Sequence, residues 1–276
     1  MSEQAQERRS NSKDDDRIPE ADSKIDHASS IKYWSKAPAT ANAMLGDLGN
    51  FPWYSRIDLR GSANFLAKVR RLLPSINIVM TADGDDDDDR KCKLGVDCGA
   101  GVGRVTTGFL SHVCEVVDAV EPVEKFADVL RQATSSSSSS SSPHSDTSST
   151  SRDIYVTGLE NWIPTKNYDL IWCQWCVGHI TDAQLTTYLL RCRESLIATG
   201  GIMVVKENIS TDPNGEDMYD DLDSSVTRSD QKFRKIFKEA GMALITSEVQ
   251  SGFPKKYKLL PVRSYALRPN SLSTND

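Results

Sequence analysis

Val96-Asp97-Cys98-Gly99-Ala100-Gly101-Val102-Gly103-Arg104-Val105 is the stretch whose reading decides the fold. Leu94 and Val96 alternate as on a strand, an acid and three glycines follow at alternate positions, and an apolar-periodic run comes next. That succession spells a strand, a tight turn and the start of a helix. Glycine serves there because the chain must turn sharply and let a ligand approach the backbone with no Cβ in the way. Helix-terminal N–H groups then face that ligand. The dinucleotide fingerprint is Gly-x-Gly-x-x-Gly, but here the third glycine comes one residue early. Asp97, two residues before the first glycine, is placed to meet a ligand ammonium. S-adenosylmethionine (AdoMet) has such a group and NAD lacks it.

The surrounding composition narrows the reading. A chain of 276 residues, 38% hydrophobic and 26% charged, is enough for one sizeable core with irregular extras. A net charge of -6 argues against a nucleic-acid partner held by phosphate contacts and suits a basic partner. No apolar run approaches a membrane span, and MSEQAQERRSNSKDDDR has no apolar core for a secretory signal. The expected location is therefore the cytoplasm, with the nucleus as a further site. Cys92, Cys98, Cys114, Cys173, Cys176 and Cys192 lie in apolar patterns and are expected to be reduced core thiols.

Residues 1–30 are polar and without periodicity, so a disordered tail is expected, with the folded domain spanning 31–276. An aromatic-weighted cover (31–75) opens that domain. In it Phe65, Leu66, Val69, Leu72 and Leu73 recur at helical spacing, with Ser62 as N-cap. The acidic run within 83–90 lacks the alternation and turning glycine of a calcium loop and reads as a solvated insertion. From Lys93 strands and helices alternate. Strands are expected at 94–98, 115–121, 154–157, 168–174, 202–206, 243–249 and 262–267, and helices at 105–113, 123–132, 182–196 and 226–240. A serine-rich insertion (134–152) with nothing to bury interrupts the series. The alternation predicts a doubly wound α/β sheet, with ligand sites beyond the C-terminal strand ends.

Chemistry-bearing residues fall at those ends. Glu121 closes the second strand about twenty residues past the glycine loop, where such folds put an acid on ribose hydroxyls. Asp118 points to the opposite face of the strand. Leu159 and Glu160 follow the third strand, suited to an adenine edge. After the fourth come Gln174, Trp175 and His179: a flat wall for a small cation and a side chain that carries a proton near neutral pH. Cys173 and Cys176 point to opposite faces of an extended strand, and no second pair completes a metal site. Asn208 ends the fifth strand, and Asp217, Asp220, Asp221 and Asp223 crowd the segment after it. That segment is either a solvated loop and helix start or, if it overhangs the cleft, a pocket for a basic substrate.

Several segments together resemble the protein α-N-terminal methyltransferases, class I AdoMet-dependent enzymes that methylate exposed N-terminal amines. They are Tyr33-Trp34, Met44-Leu45-Gly46, Asp97–Arg104, Ile171–His179, Lys206–Asn208, Asp220–Val226 and Ser264–Arg268, and the likeness covers roughly 31–268. The resemblance implies a class I methyltransferase Rossmann-like sheet with flanking helices and an N-terminal helical cover. It also implies AdoMet as methyl donor, with S-adenosylhomocysteine as its product. The implied substrates are proteins with a free X-Pro-Lys or X-Pro-Arg terminus, ribosomal or chromatin proteins among the candidates, giving mono-, di- or trimethylated termini. Positions matching Gly99, Arg104, Glu121, Leu159, Glu160 and Gln174 would hold AdoMet beside Asp97 and Gly101. Those matching Trp175, His179, Asn208, Asp220, Asp223 and Ser225 would hold the terminus, with His179, Asp223 and Asn208 as catalytic groups. Tyr33, Trp34 and Leu45 would form the cover over the peptide channel. No metal is implied. The Pro52-Trp53 region and Lys255–Pro261 depart from the family pattern. A small-molecule amine methyltransferase and a non-catalytic AdoMet-binding protein are the alternatives.

Overall fold

The computed structural model describes residues 20–73, 91–137 and 152–270. The acidic run 85–89, residues 138–151 of the serine-rich stretch and the first nineteen residues of the expected tail lie outside the described residues. The remainder of the expected tail is ordered. A short 3-10 turn covers Ala21–Lys24 and helix α1 spans His27–Lys36. These polar residues find partners far away in sequence, a signal that local periodicity does not carry. Asp26 caps α1 by accepting from the Ala28 N–H (3.0 Å), and its own N–H donates to Ser224 Oγ (2.7 Å). Asp22 accepts from the Asp182 N–H at 2.8 Å.

Helix α2 spans Pro52–Leu72, its proline in the first turn where a missing N–H costs nothing. Ser62 is therefore a mid-helix residue and not its N-cap. Apolar spacing marks only the second half because Asp58 and Ser62, on the inward face of the first half, are polar and fully buried.

Among the described residues a seven-stranded sheet forms the frame, with strands β1 (Cys92–Cys98), β2 (Cys114–Val120), β3 (Ile154–Tyr155), β4 (Leu170–Gln174), β5 (Ile202–Asn208), β8 (Met242–Val249) and β9 (Val262–Pro269). Their order is β3-β2-β1-β4-β5-β9-β8. β1 to β5 run parallel, and β9 inserts antiparallel between β5 and β8. The expected α/β class is the one observed. All five residues of β4 are buried, as a central strand covered on both faces requires.

The expected helix at 105–113 is a π-helical turn (Thr106–Leu110) running into the short α3 (Ser111–Val113). Helix α4 (Glu124–Ser137) extends into the serine-rich stretch, and α5 spans Asp182–Ile197. The expected helix at 226–240 begins later. Residues Met218–Asp220 (β6) and Ser225–Thr227 (β7) form a hairpin, and α6 spans Asp230–Glu239. Ser229 sets that start by accepting from the Lys232 N–H. One core layer packs Tyr188, Leu189, Phe233 and Phe237 against the sheet; the other packs Phe65, Leu66, Phe109 and Trp172. No helix among the described residues is long and apolar enough to cross a membrane.

Asp118 faces away from the ligand edge, as strand alternation predicts. Its buried carboxylate accepts from the Asp153 N–H (2.8 Å), Lys166 Nζ (2.8 Å) and Tyr168 Oη (2.9 Å). Burial, reinforced by that carboxylate, pushes the Tyr168 hydroxyl well above its usual range. Asp118→Ala would strand the Tyr168 hydroxyl and the Asp153 N–H, while Lys166 keeps its ion pair with Asp153, and is expected to lower stability by about 3 kcal/mol, read from the urea-denaturation midpoint. A loss below about 1 kcal/mol would show that solvent satisfies them instead.

Candidate active site

At the C-terminal end of β1 the glycine turn folds back on β2. The N–H groups of Gly99 and Ala100 both donate to Val120 O, at 2.8 and 3.0 Å. Gly99 (φ 70°) and Gly101 (φ 56°) occupy the left-handed region. A Cβ on Gly99 would lie 2.3 Å from the Cys176 Cβ, and one on Gly101 would lie 2.8 Å from Met44 Sδ. Glycine is thus required where two strand-end loops and the cover converge.

Glu121 ties the turn to β2. Its Oε2 accepts from the Gly101 N–H and its Oε1 from the Val123 N–H, both at 2.8 Å. Burial pushes its carboxyl up to about 7, against those two bonds. Asp97 accepts from Thr106 Oγ1 at 2.6 Å, beneath the turn, and is not among the residues that line the cavity above it. Burial raises its carboxyl to about 6. The bond to Thr106 braces the loop.

A cavity of about 410 Å³ opens over the turn, within the range of small-molecule sites. Gly99, Gly101, Arg104, Glu121, Leu159, Glu160 and Gln174, all expected there from sequence, do line it. Arg191, missed in the sequence, steadies the far wall by donating from Nη2 to Leu159 O (2.8 Å) and Glu160 O (3.1 Å).

A second cavity of about 260 Å³ shares Trp34, Met44, Trp175 and His179 with the first. Leu45, Asn208, Asp223 and Ser225 line it as well. Tyr33 and Asp220 line neither cavity. Tyr33 packs edge-on against Trp34, with ring centroids 5.2 Å apart. Asp220 is exposed on the β6–β7 hairpin, accepting from the Leu222 N–H.

The loop after β4 is held from β5. Trp175, itself left-handed at φ 55°, donates its N–H to Lys206 O. Glu207 accepts from the N–H groups of Cys176 (2.8 Å) and Val177 (3.0 Å), and burial pushes its carboxyl up to about 7. Trp175 stacks on Tyr54 of α2, and its Nε1 is buried with no partner among the described residues. Cys173 meets Tyr188 Oη (3.1 Å) and Cys176 donates to Cys98 O (3.1 Å), so both thiols serve the core.

Both nitrogens of His179 are engaged by α1. Nδ1 pairs with Ser30 Oγ at 3.0 Å, and Trp34 Nε1 donates to Nε2 at 3.3 Å. Burial pushes the imidazole below its usual range, while the Asp223 charge pulls the other way. Asp223 accepts from Ser225 Oγ at 2.6 Å. Beneath Trp175, Asp58 gathers Arg104, Gln174 and Lys206, a hub missed in the sequence. Its only signal was a polar pair, Asp58 and Ser62, one turn apart ahead of the apolar run from Phe65.

The first cavity thus offers a buried acid for hydroxyls, a guanidinium for an anion and glycine backbone for close approach. The second adds an acid, an imidazole and an amide around a shared aromatic wall. These residues fit a nucleoside cofactor with a charged tail, next to an amine.

Over residues 22–268 the sequence matches the family described as AdoMet-dependent proline di-methyltransferase. It is 37% identical over 246 residues to the alpha N-terminal protein methyltransferase 1 of Schizosaccharomyces pombe, covering 89% of this chain and 97% of that protein. Identity to the N-terminal Xaa-Pro-Lys N-methyltransferase 1-A of Xenopus laevis is 34% over 237 residues, covering 86% and 92% of the two chains. A solved SAM-dependent methyltransferase from Leishmania major superposes with a TM-score of 0.67 at 25% identity, covering 88% of this chain and 82% of that one.

Proposed function

Because this chain belongs to the family of AdoMet-dependent proline di-methyltransferases, we propose that it methylates the free α-amino group of proteins with an exposed X-Pro-Lys or X-Pro-Arg terminus. The observation that carries this is the pair of cavities joined through Trp34, Trp175 and His179, cofactor residues on one side and Asn208 and Asp223 on the other. Bound AdoMet supplies an electrophilic methyl group on a sulfonium.

The chain's task is to bind, orient and deprotonate. Glu121 would accept hydrogen bonds from the ribose hydroxyls, Arg104 would take the carboxylate, and Leu159 and Glu160 would border the base. Trp175 and Asn208 position the amine, and the partnerless Trp175 Nε1 suits a peptide carbonyl. An α-amine titrates near ~8 and a lysine amine near ~10.4, so the terminus gives up its proton far more readily. Asp223 is the better placed acceptor, because the His179 Nε2 lone pair is already engaged by Trp34. His179 then orients the cover and shares charge with Asp223. The Asp220–Asp223 rim suits the basic third residue. Ribosomal and chromatin proteins, met in the cytoplasm or nucleus, are the candidate substrates, and the extent of methylation follows the first residue.

The test is mass spectrometry of a Ser-Pro-Lys peptide and its N-acetylated twin after incubation with AdoMet. Methyl masses on the free peptide alone are expected. Methylation of both, or of neither while AdoMet binds, would overturn the reading in favour of a side-chain or small-molecule enzyme or a binding protein.

A further inference from the structure

Asp58 does not line the cofactor cavity, yet it holds two residues that do. This fully buried carboxylate on α2 accepts from Arg104 Nη1 (2.8 Å) and Gln174 Nε2 (2.8 Å) on Oδ2, and from Lys206 Nζ (2.5 Å) on Oδ1. Lys206 Nζ also donates to Asp58 O (3.0 Å) and Ser62 Oγ (2.9 Å), and Gln174 Oε1 accepts from Trp172 Nε1 (3.2 Å). We propose that Asp58 is the positioning residue for the amino-acid tail of AdoMet, fixing Arg104 and Gln174 from behind and coupling the cover helix to the cofactor.

The geometry supports this assignment. Asp58 fixes Arg104 and Gln174 through one carboxylate oxygen, so the two cavity residues are held in register with each other. Among the described residues Arg104 spends only Nη1 on protein acceptors, Asp58 and Ser55, leaving Nη2 and Nε as donors. The guanidinium lies 5.5 Å from the Trp175 ring centroid, which restricts it from the side. A long side chain held at one nitrogen and along one face presents its free donors in one direction, so little rotamer entropy is lost when a carboxylate arrives. Lys206 does not reach the cavity; its charge keeps Asp58 ionised inside the core.

The inference rests on the cofactor reading above, and calorimetry separates the two. S-adenosylhomocysteine carries the amino-acid tail, whereas 5′-methylthioadenosine has the same nucleoside without it. Asp58→Asn keeps an acceptor but removes the charge. It is expected to weaken S-adenosylhomocysteine binding about 10- to 100-fold and leave 5′-methylthioadenosine within about twofold. KM for AdoMet rises while kcat at saturation is largely kept. Since the single variant strands Lys206, Asp58→Leu/Lys206→Met removes both buried charges and is expected to show the same selective loss. Parallel weakening of both compounds in the double variant would assign Asp58 to folding alone and overturn the proposal, as would unchanged affinity for both. A wild-type protein that binds neither compound would overturn the cofactor reading itself, and this inference with it.

Discussion

Asp223→Asn is expected to lower kcat/KM for a Ser-Pro-Lys peptide by about 10²- to 10⁴-fold, the range for losing a positioned proton acceptor, while S-adenosylhomocysteine affinity stays within about twofold. Asparagine matches the shape of aspartate and can still accept from Ser225 Oγ, so the packing of the β6–β7 hairpin is retained. What disappears is the charge. Asp223 lines the second cavity and not the first, which is why cofactor affinity is spared. Two consequences follow for the reacting amine: no carboxylate draws the ammonium in, and none takes its proton.

The pH profile adds an independent sign. Burial lowers the His179 pKa and the Asp223 charge raises it, so removing that charge lowers it further. An imidazole acting as acceptor is active only when unprotonated, and activity then rises with pH through its pKa. If His179 sustains the residual rate, the acid limb of kcat/KM moves to lower pH in Asp223→Asn. A limb that stays in place would show that the two groups do not share the proton. Retention of wild-type turnover would remove Asp223 from the chemistry.

The cofactor half of this arrangement was legible in the sequence because its information is local. A strand, a glycine turn and an acid about twenty residues later occupy fixed offsets on the scaffold, so Gly99, Gly101 and Glu121 could be placed without knowing the rest, while Arg104 came only from the family resemblance. The same holds for Gln174 to His179, which sit at the end of a strand that is apolar throughout. The bond between Asp97 and the Thr106 hydroxyl nine residues on was not legible, because strand periodicity says nothing of it.

Long-range pairing hid the other features. α1 is held by Ser30 against His179 and by Asp26 against Ser224, partners 149 and 198 residues away. Val226 fits a helical apolar pattern with Phe233 and Phe237, yet the chain turns at Ser224, with a φ of 56°, and β7 starts at Ser225 instead. Asp58 passed unnoticed because its partners lie on β4, β5 and the glycine turn. Tertiary contacts that reward a buried charge are invisible until the strands bearing its counter-charges are placed.

Gly99→Ala should abolish measurable cofactor binding, with S-adenosylhomocysteine affinity falling more than about 100-fold, or roughly 2.7 kcal/mol. Two costs combine. At φ 70° an L-residue pays about 1–2 kcal/mol in the left-handed region. The new Cβ would also stand 2.3 Å from the Cys176 Cβ, and neither atom is the end of a flexible side chain. Cys176 cannot retreat freely, since Glu207 grips its N–H. The β1 turn and the β4 loop must therefore separate, displacing Arg104 and Gln174 relative to each other although both donate to Asp58 Oδ2. Gly215→Ala is the control: at φ 76° it carries the same backbone strain, but nothing lies within 4 Å of the added Cβ. It is expected to cost about 1 kcal/mol of stability and leave ligand affinity unchanged. Cys176→Gly placed in the Gly99→Ala chain removes the facing Cβ and should restore part of the lost affinity. If Gly99→Ala bound as the wild type does, or if Cys176→Gly returned nothing, the close approach of the two loops would not be what shapes the cofactor site.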